Sequence, residues 1–197
     1  MELIGAVISF LIGYYALKGY KASSKRELLL LHFGFVILGV SMLLRVITTA
    51  YAVAVIREEE PLRPVIEFAR IVYPSIELVA YTLFAITYTY QGKTASESQT
   101  VAAAVPIFLL FYNPFLELIA TALLAYVMVH AVINSAIKRN SATTLVSLGF
   151  SFMFISQLFF IFASVYDSLL FFMFGHFVNL MGFLFLLVML MQVNKAE

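Results

Sequence analysis

The chain has no cysteine and no tryptophan, and only 12% of its 197 residues are charged. Without cysteine there is no disulfide, thiol redox relay, iron–sulfur cluster, thiolate zinc site or cysteine nucleophile. A soluble globular domain carries about 25% charged residues, so half that share excludes one. Twelve Lys+Arg against eleven Asp+Glu leave a formal charge of +1, which gives no general attraction for nucleic acid. Also missing are a glycine-rich phosphate loop, a His-Glu-x-x-His pair and a serine nucleophile elbow.

What is present is apolar: 63% hydrophobic residues and a mean hydropathy of +1.00. This composition predicts an all-α integral membrane protein with a single polytopic domain over residues 1–197. A helical span needs about 20 mainly apolar residues. Such runs fall near 3–20, 28–56, 64–90, 97–112, 115–137, 142–165 and 168–193, separated by polar or turn-forming stretches such as Arg57-Glu58-Glu59-Glu60-Pro61 and Lys138-Arg139-Asn140. Nothing basic precedes the first run, so it reads as a retained helix rather than a signal peptide.

Run 97–112 is the shortest. With seven crossings and the N-terminus outside, the cytoplasmic face receives Lys18, Lys21, Lys25, Arg26, Lys93, Lys138, Arg139 and Lys195, and the outer face only Arg57 and Arg63. Removing that crossing would spread the basic residues evenly. The positive-inside rule therefore favours a cell-membrane protein with seven spans, N-out and C-in. Runs 28–56 and 64–90 exceed a bilayer of about 30 Å and are expected to project outward as a helical hairpin. The odd count also suggests a parallel 3+1+3 repeat. Lys25-Arg26 precedes Gly34-Phe35 much as Lys138-Arg139 precedes Gly149-Phe150.

Glu77 is the most deeply placed acid, and a carboxylate there costs about 2.5–3.5 kcal/mol unless it finds a partner, a proton or water. Arg70, Pro74, Glu77, Tyr81 and Tyr88 share one stripe of their helix. Two readings fit. Either Glu77 is a counter-ion or proton carrier in a ligand site entered from outside, or it is a packed pair neutralised by Arg45 or Arg70. Asn179, beside His176 and between Gly175 and Gly182, and Gln157 on the preceding helix read first as packing groups. His32 and His130 lie at equal depth on different helices, as two axial ligands of a b-type haem require; each also reads as a histidine bonded across a helix contact. Pro74 and Pro106 are expected to kink their helices. Every lysine lies in a loop, at a helix end or in the tail, which excludes a Schiff-base retinal pigment.

The stretch Ala16-Leu17-Lys18-Gly19-Tyr20-Lys21 through Leu28-Leu29-Leu30-Leu31-His32-Phe33-Gly34-Phe35-Val36-Ile37-Leu38-Gly39 resembles the first hairpin of small archaeal seven-helix membrane proteins and of the membrane input modules of seven-helix sensor kinases. That resemblance, over about 25 residues, implies a sensing or partner-binding module that acts through another chain. The 3+1+3 layout is also similar to sugar carriers of the SWEET type, although spans one, two, five, six and seven lack their interior prolines.

The sequence thus predicts a non-enzymatic membrane module, sensory or an accessory subunit, with no catalytic or metal-ligating residues. An outward polar site around Glu77, Arg70, Arg45, Tyr81, Tyr88 and Asn179 would bind a small ligand or a partner. Its surroundings would be the bilayer and a partner membrane protein or further copies of itself, and no nucleic acid. No cofactor is expected unless His32 and His130 hold haem b. The alternatives are a small-solute carrier or ion channel, and a bis-His cytochrome.

Overall fold

The computed structural model describes residues 1–55, 59–92, 113–166 and 168–195, with backbone alone at several positions between 52 and 70 and beside the other breaks. Six helices account for nearly all of these: α1 (Glu2–Ser23), α2 (Arg26–Val55), α3 (Glu59–Gly92), α4 (Asn113–Lys138), α5 (Ser141–Tyr166) and α6 (Leu169–Lys195). No strand occurs among the described residues. All six helices are long and apolar enough to cross a bilayer, and the chain is a multi-pass membrane protein. Six of the seven expected runs are helices here; the remaining one, 97–112, lies outside the described residues.

Local chemistry sets the ends. The α1–α2 turn is Ser24-Lys25, where Ser24 takes a left-handed conformation (φ 56°) and its N–H donates to Tyr20 O at 2.7 Å. The α4–α5 turn is Arg139-Asn140. There Arg139 is left-handed (φ 46°) and Asn140 Oδ1 accepts the Thr143 N–H at 2.8 Å, capping α5. Pro61 stands in the first turn of α3, where a missing N–H costs least. α3 runs unbroken through Pro74, and Pro106 lies outside the described residues.

Each helix packs on its neighbours in chain order, and α6 packs on α1, so the six close into a ring. The two ends of the ring are marked here by Glu2 and Glu27. α1 and α3 descend from the Glu2 end and α2 returns to it. α4 runs parallel to α3, because Tyr88 near the end of α3 and Lys138 at the end of α4 line one cavity.

Phenylalanine fills the middle. Phe84 of α3 meets Phe35 of α2 at 4.8 Å and Phe150 of α5 at 5.6 Å, and Phe35 meets Phe183 of α6 at 6.2 Å, all four at most 1% exposed. Lipid tails are as apolar as these rings, so the association rests on close packing rather than on escape from water. Glycine permits the approach: Phe84 lies against Gly34, and Gly149 and Gly182 face each other across α5 and α6. The outer surface is apolar, with Ile47, Phe68, Ile137 and Leu169 more than 60% exposed. Such a belt suits hydrocarbon.

Candidate functional site

The register of the α1–α2 hairpin decides where charge collects. Gly5 sits against Met42; three residues further toward the Glu2 end on each helix come Glu2 and Arg45. Arg45 Nη1 lies 3.4 Å from Glu2 Oε1, and Arg45 Nη2 donates to Glu77 Oε1 of α3 at 2.5 Å. His176 of α6 completes the cluster, with Nε2 3.4 Å from the same Glu2 oxygen. The imidazole is clamped between the edges of Phe160 (4.9 Å) and Phe172 (4.5 Å). Tyr73 lies under the guanidinium, its ring centroid 5.5 Å from Arg45 Cζ. Its hydroxyl bonds Leu44 O at 3.1 Å and also Thr48.

One turn deeper, Gln157 of α5 donates to Tyr81 Oη of α3 at 2.8 Å, a bond that crosses the ring rather than joining neighbours. Glu2, Arg45, Glu77, Tyr81, Gln157, His176 and Asn179 line one cavity closed below by Phe183. About 20 Å³ of it is open to water-sized occupants, room for about one water. The side chains are about four-fifths buried: 25% of Arg45, 18% of Glu2 and 16% of Glu77 are exposed. Charges this sheltered from solvent need a partner, and here one guanidinium serves both Glu2 and Glu77. Glu117, in the first part of α4, interacts electrostatically with Glu77 and Arg45.

Of the residues singled out in the sequence, Glu77, Arg45, Tyr81 and Asn179 meet at this cavity. Tyr88 does not: it lines a second cavity toward the Glu27 end. The side chain of Arg70 lies outside the described residues. His32 Nδ1 donates to Gly13 O at 2.9 Å, His130 packs on Tyr126 at 4.3 Å, and neither lines either cavity. Among the described residues no group of three His, Asp or Glu is set to hold a metal.

Sequence reasoning missed Glu2, gave His176 no role in this site and assigned Gln157 to packing. A two-residue turn at Ser24-Lys25 fixes the hairpin register and sets Glu2 level with Arg45, so that signal was available. Nothing in the sequence pairs Gln157 with Tyr81. No protein family, curated protein or solved structure matches the chain.

Proposed function

We propose that this chain is a non-enzymatic membrane module, sensory or an accessory subunit, whose site at the Glu2 end faces outside and takes up a proton. The observation that carries the reading is the charge count over a nearly closed cavity. Two carboxylates, Glu2 and Glu77, line it with one guanidinium, Arg45, between them; a third, Glu117 of α4, interacts electrostatically with Glu77 and Arg45, and His176 and Tyr81 complete the lining. Carboxylates outnumber the guanidinium, and in a water-poor site a proton is the cheapest way to remove excess negative charge. Arg45 holds Glu77 at 2.5 Å and Glu2 only at 3.4 Å, so Glu2 is the more loosely paired carboxylate and the one we assign as the acceptor. His176 orients Glu2. A cavity of one-water size excludes a sugar or amino acid in this state and admits a proton arriving through water.

The topology we infer is the seven-span one, N-out and C-in. α3 and α4 run parallel, so the chain leaves α3 at the Glu27 end and enters α4 at the Glu2 end. Lys18, Lys21, Lys25, Arg26, Lys138 and Arg139 gather at the Glu27 end, which favours that end as cytoplasmic. A parallel repeat of α1–α3 and α4–α6 also has support. Both halves have a two-residue turn with a left-handed first residue, followed by a Gly-Phe pair eight residues after the next helix's first residue, Gly34 in α2 and Gly149 in α5. The ring contacts repeat in the same order. The carrier reading draws on the second cavity, which opens inside the same ring toward the opposite end.

The experiment is thermal unfolding of the purified chain in detergent across pH. A folded cluster that binds one proton more than the unfolded chain gives a stability that rises as pH falls. Glu2→Gln should flatten that dependence, whereas Glu27→Gln at the other end leaves it intact. A slope unchanged by Glu2→Gln removes the reading.

A further inference from the structure

The cavity at the Glu27 end is unused by the site above and is much larger, about 180 Å³ open to water-sized occupants against about 20 Å³. Five of the six helices contribute to it, α2 through α6. Its walls are mostly apolar, with Leu31, Val146 and Met189 from three different helices.

Tyr88 gives it direction. The residue is 7% exposed, its ring is held by the edge of Phe150 at 5.8 Å, and it lines the cavity. Its hydroxyl makes no hydrogen bond among the described residues. Tyr88 lines the cavity, so a hydroxyl with no protein partner is available to a ligand there as donor and acceptor. At the mouth stand Glu27, in the first turn of α2, and Lys138, in the last turn of α4. Neither forms an ion pair among the described residues. Each sits at the helix end its charge suits, which leaves both free to meet a ligand. One anion and one cation across the opening of an apolar chamber complement a molecule with the opposite pair of charges and an apolar body.

We propose that the cavity lined by Tyr88, Glu27 and Lys138 binds a small amphipathic zwitterion, of which an apolar α-amino acid is the simplest example. The ammonium meets Glu27, the carboxylate meets Lys138 and Tyr88 Oη, and the side chain enters the apolar chamber. The proposal rests on this cavity alone and not on proton uptake at Glu2. A leaflet lipid offering an acyl chain would satisfy the walls but not the paired charges.

The test is equilibrium binding of tritiated leucine to the full-length purified chain in detergent, with isopentylamine and 4-methylpentanoate as competitors that carry one charge each. Leucine binding is expected, with each competitor at least about tenfold weaker, the difference a lost charged partner makes. Tyr88→Phe, which keeps the ring and its packing, should weaken leucine binding about fivefold with an unchanged melting temperature. Glu2→Gln should leave leucine binding as it is, so the two sites stand or fall separately. Absence of leucine binding at millimolar concentration overturns the proposal. So does binding that Tyr88→Phe leaves untouched, or native mass spectrometry showing a co-purified lipid that leucine does not displace.

Discussion

Arg45→Met should cost about 3 kcal/mol, the low end of what breaking a buried ion pair from one side costs. The guanidinium holds Glu2 and Glu77 at once. Without it two carboxylates of three different helices' contact region face each other with one cation fewer. Methionine fills similar length and is apolar, so the loss reports charge rather than volume. The measurement is thermal unfolding in detergent at neutral pH, where a fall of several degrees is expected. Adding Glu77→Gln to Arg45→Met should restore most of the loss, because the remaining charge can be neutralised on Glu2. A single variant as stable as the parent, or a pair no better than Arg45→Met alone, would show that the cluster is not an ion-paired unit.

The second large effect belongs to the α5–α6 crossing. A Cβ on Gly182 would lie 2.8 Å from the carbonyl oxygen of Gly149 and 3.2 Å from the backbone nitrogen of Met153. Both obstacles are backbone, so no side-chain rotation relieves them and the helices must part. Gly182→Val should therefore cost about 3 kcal/mol, at the upper end of overpacking. Separation would also loosen Phe150 and Phe183, which close the two cavities. Gly19→Ala is the control: its nearest neighbour would be Leu28 Cδ1 at 3.3 Å, the tip of a flexible side chain, and its effect should stay within about 0.5 kcal/mol. If Gly182→Val melts with the parent, the close crossing is absent.

These two positions show unequal legibility in the sequence. The ion pair between Arg45 and Glu77 could be read from the cost of a carboxylate inside a span, since so few charges are available to meet it. Helix positions were equally legible: the run near 142–165 became α5 (Ser141–Tyr166) with only small changes at its ends. The order of helices around the ring was not. α5 and α6 are apolar on every side, so no face announces its partner. The stripe from Glu77 to Tyr88 misled for a geometric reason. A shared helix face fixes direction only, and eleven residues at 1.5 Å each put the two about 16 Å apart, far enough to reach different cavities.

Proton uptake at Glu2 is tested most directly by infrared difference spectroscopy of the chain reconstituted in lipid, as the medium is acidified from neutral pH. The account predicts a carboxylic-acid C=O band in the parent that disappears in Glu2→Gln and persists in Glu27→Gln. A band that survives Glu2→Gln, or no protonated-carboxyl band at all, would contradict it.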